Sequence, residues 1–495
     1  METTASTATP AAQAHASTSY RVVPIMIALC IAGFIGMFSE TALNIALSDL
    51  MESLHITAST VQWLTTGYLL TLGVLVPVSS FLMQWFTTRQ LFIFSLGISI
   101  VGGVVAALSS GFSLLLIGRI LQAVGIGILL PLIFNTILVI FPPEKRGQAL
   151  GTMGLVIMFA PAAGPTLAGL TIQYLSWNYI FWFTIPFLLI SLLVGVRYMQ
   201  NISTITKPKI DVLSILLSTI GFGGIVFGFS HAGEGDGGWT DPVVIGSFII
   251  GALALLVFCL RQNKLRQPML NLQVFQYPMF VVGLLMVFLC FNVIMSTMLI
   301  FPMYFQGGLA KTAMAAGLIL LPGGIVNGLL APVMGILYDK FGPRWLVIPG
   351  FLVMSIVLFM MTGFDTDTSI GLIIALHILL MIGISMVMSP AQTNGLNQLP
   401  PHLHPDGTAF MNTLQQISGA VGTAVAVSLM SGGIADYMSA SSDPAAASES
   451  AHAMAFGSQH AFIFALVVGI VGFVISLFIR RVKVEGGSER PKAMH

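Results

Sequence analysis

Fourteen apolar segments dominate this sequence, and each is about as long as the 17–25 residues that an α-helix needs to cross a bilayer. Of the 495 residues, 56% are hydrophobic and only 7% are charged, whereas soluble proteins carry roughly 25% charged residues. The sequence therefore predicts an all-α polytopic membrane protein. The predicted spans are 23–47, 60–84, 90–109, 112–140, 148–173, 177–198, 211–231, 241–260, 277–304, 313–337, 346–362, 369–395, 408–430 and 460–480.

The distribution of basic residues predicts how the spans are oriented across the membrane. With both termini in the cytoplasm, seventeen Lys and Arg residues fall on the cytoplasmic side and only Lys311 falls outside. Cytoplasmic loops of membrane proteins are enriched in Lys and Arg, so this strong asymmetry supports the even number of spans. We expect a multi-pass protein of a bacterial cytoplasmic membrane, with an Ala/Ser/Gly-rich, weakly ordered outer loop at 431–459.

The sequence contains an internal repeat that relates its first half to its second half. Residues 75–89 align with 330–344 at an offset of 255, and Pro131 and Asn135 match Pro390 and Asn394 at an offset of 259. Parallel repeats of this kind place a substrate site between two halves near the bilayer midplane. The predicted organisation is a cytoplasmic tail (1–22), a six-helix half (23–198), a linker (199–210), two inserted helices (211–260), a second linker (261–276), a second six-helix half (277–480) and a cytoplasmic tail (481–495).

Arg119 lies inside an apolar segment, residues 115–131, that also contains Gly125 and Gly127. A charge at bilayer depth costs at least about 2.5–3.5 kcal/mol on insertion scales, and such residues usually face a bundle interior or a watery cavity. The rest of the chain favours a positive charge that lines a transport path. The alternative is an arginine that reaches the interface or fixes helix packing.

Glu40 is the one acidic residue well inside a predicted span. An ionisable side chain at this depth indicates a proton carrier and a partner for a cationic substrate. A polar packing role is the alternative.

Small and rigid residues mark two further stretches. Pro161, Gly164, Pro165 and Gly169 lie in the fifth span, where glycine permits close helix contact and proline frees backbone carbonyls, which suits a gating helix. The cytoplasmic loop at 335–344 contains Gly335, Asp339, Gly342 and Arg344. There Gly342 allows a tight turn, and Asp339 either accepts hydrogen bonds from helix-end amides or pairs with Arg344.

Other polar residues within the spans join helices by hydrogen bonds or line the substrate cavity. The cavity candidates are Asn44, Gln122, Asn135, Asn292, Asn327, His377, Asn394 and Gln415.

Several classes of function lack any sequence support. No Gly-Lys dipeptide is present, which excludes a P-loop within this chain, and no His-Glu-x-x-His or Gly-x-Ser-x-Gly motif indicates an intramembrane hydrolase. Cys30, Cys259 and Cys290 lie in apolar segments without paired spacing, so they predict neither disulfides nor metal ligands. We expect neither an enzyme nor a metal or other cofactor.

These motifs together resemble the major facilitator superfamily, and in particular its fourteen-span drug:proton antiporter family. Arg119, Gln122 and Gly125 match the family's fourth-helix motif, and Gly164, Pro165 and Gly169 match its fifth-helix antiporter motif. The first-helix, second-helix and loop motifs are matched by Thr41, Asn44, Ala46, Leu47, Trp63, Tyr68 and residues 335–344. The first-helix residues 38–44, with 61–70 and 135–147, look most like the lincomycin-resistance-type efflux proteins of Gram-positive bacteria.

Two positions depart from the family pattern. The family's first-helix acid falls at Ser39, and Glu40 follows one residue later, which turns its side chain about 100° around the helix. In the N-terminal copy of the loop motif, Ser80, Gln84 and Thr87 replace the usual Gly, Asp and Gly. We therefore expect any conformational latch to be stronger in the C-terminal half.

The resemblance implies a major facilitator fold and a proton-coupled exporter of hydrophobic or cationic drugs, with Glu40 and Arg119 in proton coupling. Its partners would be small-molecule drugs, protons and the lipid bilayer, with no nucleic acid, in a monomer driven by the proton gradient alone. Two alternatives stay open. One is an exporter of an endogenous lipid, peptide or nucleotide, and the other is a non-transporting membrane scaffold or sensor.

Overall fold

The fold is known from a computed structural model. It describes residues 21–56, 58–141, 143–202, 205, 211–234, 238–265, 268, 270–400, 403–441 and 447–482. The predicted tails at 1–22 and 481–495 and the linker at 199–210 therefore lie wholly or largely outside the described residues.

Fourteen long α-helices follow one another in the described chain, in the order of the fourteen predicted spans. Twelve of them are long and apolar enough to cross a membrane; α2 has only a shorter apolar stretch, Trp63–Leu75, and α5 is not among the twelve. The helices are α1 (Val22–Leu54), α2 (Ala58–Trp85), α3 (Thr88–Ala107), α4 (Phe112–Ile140), α5 (Pro143–Tyr174), α6 (Asn178–Tyr198), α7 (Val212–Glu234), α8 (Pro242–Gln262), α9 (Pro278–Met303), α10 (Ala313–Phe341), α11 (Arg344–Met361), α12 (Ile370–Asn397), α13 (His404–Ala440) and α14 (Ala447–Ser476).

The prediction of a weakly ordered outer loop at 431–459 is wrong for its described part. Helix α13 continues to Ala440 and α14 begins at Ala447. The two extensions pack on each other, with the rings of Tyr437 and Phe456 5.7 Å apart. Alanine, which supplies 8 of the 29 residues of this stretch, is the strongest helix former, so a composition typical of loops also suits paired helices.

The internal repeat is visible in the packing of the helices. In the first half α1 packs on α5 and α6, α3 packs on α4 and α6, and α2 packs on α4. The second half repeats the same five pairings: α9 with α13 and α14, α11 with α12 and α14, and α10 with α12. The halves meet along two seams, α5 with α10 and α2 with α13.

The inserted helices α7 and α8 pack on each other, and α7 also packs on α2 and α13. Its Phe227 ring lies 5.5 Å from the ring of Trp63 on α2. Only 22% of the apolar stretch of α8 is buried within the chain. The inserted pair therefore covers one seam from outside, with α8 as its outer layer.

The two halves are joined at one end of the molecule and separate at the other. The largest hydrophobic core contains Leu50 and Leu64 of the first half together with Phe305 and Ala316 of the second. These residues lie at the end that the sequence predicts to face outward. Toward the predicted cytoplasmic end each half has cores of its own. This arrangement leaves room for a cavity that begins between the halves and extends toward the predicted cytoplasmic end.

Candidate functional site

A cavity of about 1130 Å³ lies between the halves. Its wall comes from α1, α4 and α5 of the first half and from α9, α10, α12 and α13 of the second. Eight of the 38 lining residues are methionine or phenylalanine, whose flexible or broad apolar side chains suit ligands of varied shape. The methionine and phenylalanine residues that line it are Met37, Phe134, Phe291, Met295, Met298, Phe301, Met381 and Met388.

Two charged residues line this cavity in the described chain, and both are acidic. Glu40 lies at its deep end and Asp339 at its predicted cytoplasmic end, and the described lining contains neither Lys nor Arg. Glu40 is 3% exposed, and its carboxylate oxygens accept no hydrogen bond from the described residues. An acidic group with free lone pairs in an apolar cavity attracts a cation or a proton.

Arg119 lies behind α1 and is not among the residues that line this cavity. It is fully buried, and its Nη1 donates to Ser39 O (2.9 Å), Ser39 Oγ (3.1 Å) and Gln122 Oε1 (3.3 Å). Its guanidinium carbon lies 4.1 Å from the centroid of the Tyr68 ring. The expectation of a positive charge lining the path is thus corrected for this conformation, since the side chain binds α1, α2 and its own helix instead.

Glu40 and Arg119 form no ion pair within 4.0 Å, although Arg119 binds the carbonyl of Ser39, the residue directly before Glu40. Ser39 and Glu40 are consecutive and point about 100° apart on the helix. Ser39 therefore faces the arginine, and Glu40 faces the cavity.

Glycines of α4 and α5 allow unusually close helix contacts. A Cβ on Gly125 would lie 2.0 Å from Ser99 Oγ of α3, and one on Gly164 would lie 2.4 Å from Thr41 Oγ1 of α1. At the α5–α10 seam, a Cβ on Gly169 would lie 2.6 Å from the carbonyl oxygen of Ala313.

Two further contacts complete the α5–α10 seam. A Cβ on Gly317 would lie 2.7 Å from the carbonyl oxygen of Pro165, and Thr166 Oγ1 donates to Gly317 O (2.8 Å). Pro165 itself lines the cavity, and the side chain of Pro161 lies outside the described part of the chain. The predicted antiporter motif thus places backbone against backbone between the two halves.

Three of the polar cavity candidates line the cavity: Asn327, His377 and Gln415. His377 packs edge-on against Phe301 with centroids 5.3 Å apart, and its Nδ1 has no hydrogen-bond partner among the described residues. Asn327 accepts a hydrogen bond from Ser385 Oγ.

The other five candidates lie away from the cavity in this conformation, because hydrogen bonds hold most of them between helices. Asn44 accepts from Thr65, Gln122 from Arg119 and Asn394 from Tyr338, while Asn292 donates to Ser418 O. Asn135 is partly buried on α4 and is not among the lining residues either.

Sequence reasoning missed several polar lining residues of α12 and α13. On α13 the missed residues Thr408 and Asn412 are four residues apart, and Asn412 lies three residues before the predicted Gln415, which places all three on one helix face. Helical periodicity of polar residues, as opposed to their mere presence in a span, is the signal that identifies them.

The cytoplasmic loop motif ends α10 and begins α11. Gly342 has φ +82° and ψ 173°, a conformation that is essentially restricted to glycine. Gly335 and Asp339 line the cavity. The alternative in which Asp339 pairs with Arg344 is wrong here, because Arg344 Nε donates to the carbonyl oxygen of Ile479 beyond α14 (2.9 Å) and no ion pair joins the two.

The first half repeats this arginine contact with a different turn. Arg89, the repeat partner of Arg344, donates to the carbonyl oxygen of Val196 near the end of α6 (2.6 Å). Where the second half has Gly342, the first has Thr87, whose side chain and that of Gln90 form a capping box at the start of α3. A capped helix start thus replaces the glycine turn.

The fold and the central cavity between two repeated halves define a membrane transporter of the major facilitator type. Residues 29–423 match the Major Facilitator Superfamily, and the chain belongs to this family. Its members are transporters, so the chain is a transporter and not an enzyme.

Particular relatives narrow this class. The chain is 62% identical over 472 residues to the lincomycin resistance protein LmrB of Bacillus subtilis, covering 95% of this chain and 98% of that protein. It is 56% identical over 463 residues to LmrB of Listeria monocytogenes, covering 94% and 98%. Among solved structures, a D-xylose–proton symporter matches 94% of this chain and 98% of its own with a TM-score of 0.65 at 15% identity, a likeness of fold alone.

Proposed function

We propose that this transporter is a proton-coupled multidrug antiporter that exports amphipathic and cationic drugs across a bacterial cytoplasmic membrane, with both termini in the cytoplasm. The observation that carries the proposal is the position of Glu40, a carboxyl group without a described hydrogen-bond partner at the deep end of a large apolar cavity. The lincomycin resistance proteins that resemble the chain support a drug as the substrate.

The charge of the cavity favours a cation as the substrate. Glu40 and Asp339 give the described lining a negative character, and a like-charged substrate would meet unfavourable electrostatics there. This disfavours an endogenous anionic lipid or nucleotide, which would need basic lining residues. A non-transporting scaffold would not need a cavity of this size, so the cavity also favours transport over that alternative.

The proposed cycle exchanges a proton for the drug at Glu40. With the cavity open to the cytoplasm, deprotonated Glu40 binds a cationic drug. The halves then rock so that the cavity faces outward, as in alternating access by parallel repeats. Protonation from outside neutralises Glu40, weakens its attraction for the cation and releases the drug. Loss of the proton to the cytoplasm restores the drug site.

Transport in liposomes tests this proposal. Purified protein is reconstituted with an imposed pH gradient, and the movement of ethidium and lincomycin is followed for wild type, Glu40→Gln and Glu52→Gln. Glu52 serves as a matched control because it is an exposed acid on the same helix. We expect gradient-driven movement of both drugs by wild type and Glu52→Gln, and its loss in Glu40→Gln.

Two outcomes contradict the proposal in different ways. Full gradient-driven transport by Glu40→Gln would move the carrier elsewhere, with His377 as the next candidate because it shares the cavity. Movement of neither drug by wild type would overturn the choice of substrate and favour an endogenous molecule.

A further inference from the structure

Three arginines converge on a second pocket, which lies at the predicted cytoplasmic end of the first half. This pocket has a volume of about 420 Å³, and its wall is mostly polar. Arg21 precedes α1, Arg89 lies in the first turn of α3 and Arg197 in the last turn of α6, so three separate helices bring the side chains together. The remaining lining residues are Tyr198, Met199, Gln200 and Asn201.

The arrangement of the three side chains is specific. The guanidinium carbons of Arg21 and Arg197 lie 5.7 and 6.0 Å from the centroid of the same Tyr198 ring. Arg89 uses Nη2 to bind the Val196 carbonyl, which fixes its position and leaves its other nitrogens for another acceptor. Enrichment of basic residues in cytoplasmic loops requires neither this convergence nor a shared aromatic support.

No acidic side chain lines the pocket, and none of the three arginines has an ion-pair partner in the described residues. The sequence agrees, because 3–39, 53–143 and 145–210, which contain all three arginines, include no Asp or Glu. Three mutually repelling cations without a counter-charge define a site for an anion.

The surroundings indicate which anion fits. Val23, two residues after Arg21, and Leu193, one helical turn before Arg197, are 69% and 68% exposed, so apolar surface that suits acyl chains lies next to the arginine-bearing ends of α1 and α6. Planar guanidinium groups bind phosphate oxygens in pairs, and basic pockets between helix ends on the cytoplasmic side bind anionic headgroups.

We propose that Arg21, Arg89 and Arg197 form a phosphate-binding site at the cytoplasmic surface, which holds the headgroup of an acidic phospholipid such as phosphatidylglycerol. Tyr198 supports two of the guanidinium groups, and Gln200 and Asn201 supply further hydrogen bonds. The site is separate from the central cavity and shares no lining residue with it. A bound headgroup there ties the starts of α1 and α3 to the end of α6.

Thermal unfolding of the purified transporter in detergent tests this site. The probes are short-chain phosphatidylglycerol, phosphatidylcholine of the same chain length and inorganic phosphate. We expect phosphatidylglycerol to raise the midpoint of wild type, because a ligand that binds the folded state stabilises it, and phosphatidylcholine to leave it nearly unchanged.

The variants localise the effect. In Arg21→Gln/Arg197→Gln, which keeps the structural contact of Arg89, the concentration of phosphatidylglycerol needed for half the effect should rise at least about tenfold. The charge-matched control Lys264→Gln/Lys340→Gln, also on the predicted cytoplasmic side but outside the pocket, should respond as wild type does. If the double variant does not fold, Arg21→Gln alone, at an exposed position before α1, should still weaken the response about threefold.

Each outcome decides a point. If the lysine control loses its response to phosphatidylglycerol as much as the arginine variant does, diffuse surface charge explains the effect and the site is overturned. If the unfolding midpoint of wild type rises equally with both lipids and does not change with phosphate, a general detergent effect explains it and the site is likewise overturned. A full response to inorganic phosphate that is lost in the arginine variant would support the phosphate site and assign it to a soluble ligand instead of a lipid.

Discussion

The buried guanidinium of Arg119 donates to both oxygens of Ser39, at 2.9 Å to the carbonyl and 3.1 Å to the hydroxyl. By the antiporter motif that the sequence resembles, the first-helix acid is expected at Ser39. A neutral residue there leaves the arginine solvated by dipoles and by the Tyr68 ring, without a carboxylate in contact. The acid of this chain, Glu40, is instead turned into the cavity.

This separation predicts that Arg119 affects proton coupling indirectly, by fixing the face of α1 that carries Glu40. In Arg119→Gln we expect drug-dependent proton flux to fall at least about tenfold, because the substitution removes the charge and the Nη1 donor that binds both Ser39 oxygens. Ser39→Ala keeps the carbonyl acceptor and should lose less than about threefold. Proton and drug fluxes measured together in proteoliposomes check this, and wild-type stoichiometry in Arg119→Gln would rule out the role.

The α5–α10 seam predicts a second result. Gly317→Ala places a methyl group about 2.7 Å from the Pro165 carbonyl oxygen, so the helices must separate. We expect a loss of transport of at least about fivefold, since close packing of small residues holds membrane helices together. Gly97→Ala is the control, because a Cβ there has open space, and its transport should equal that of wild type. Unchanged transport in Gly317→Ala would show that the seam tolerates separation.

Glycine should have opposite effects on stability at the equivalent turns of the two loop motifs, stabilising at position 342 and destabilising at position 87. Gly342→Ala forces a side chain into a backbone conformation that costs about 1–3 kcal/mol, so the unfolding midpoint should fall. Thr87→Gly removes the capping side chain at the equivalent turn and should cost about 1 kcal/mol or less. Unfolding of both variants in the same detergent compares them; equal stability of Gly342→Ala and wild type would contradict the assignment of strain.

We predict that the stability of the inserted pair depends on pH, through the ion pair that joins Asp211 before α7 to Arg261 near the end of α8. Hydrogen bonds from Arg261, at 2.9 Å to each carboxylate oxygen, lower the pKa of Asp211 from its usual 3.8 to about 2. Because the pKa is lowered in the folded state, this contribution to stability is complete well above pH 4 and is lost as the pH falls toward about 2.

Asp211→Asn should therefore lower the unfolding midpoint by about 1–2 °C at pH 7, as expected of a partly exposed ion pair in a large protein. The difference from wild type should shrink once the pH falls below about 4. A difference that stays constant from pH 7 to pH 3 would exclude the carboxylate charge as its cause.

The sequence predicts the spans and the paired halves because a helix that crosses a bilayer needs a long apolar run, and because the repeat preserves Pro131 and Pro390 at matching places. It does not predict which way a polar side chain points. The sequence singles out both Arg119 and Glu40, yet only Glu40 lines the cavity. On α1 a step of one residue, from Ser39 to Glu40, decides between contact with the arginine and a position on the cavity wall. The pairing of α13 with α14 beyond residue 430 also depends on tertiary contacts that composition does not contain.

Helix α7 makes the two seams between the halves unequal. It packs on both α2 and α13, while no described helix outside the two halves packs on α5 or α10. Apolar side chains of α10 that do not line the cavity, such as Leu329 and Val333, 62% and 42% exposed, therefore lie uncovered on the outer surface of the bundle beside this seam. Among the described residues, the α5–α10 seam is thus the one whose outer side no inserted helix covers, and a drug that reached the proposed antiporter through the lipid would meet this seam first.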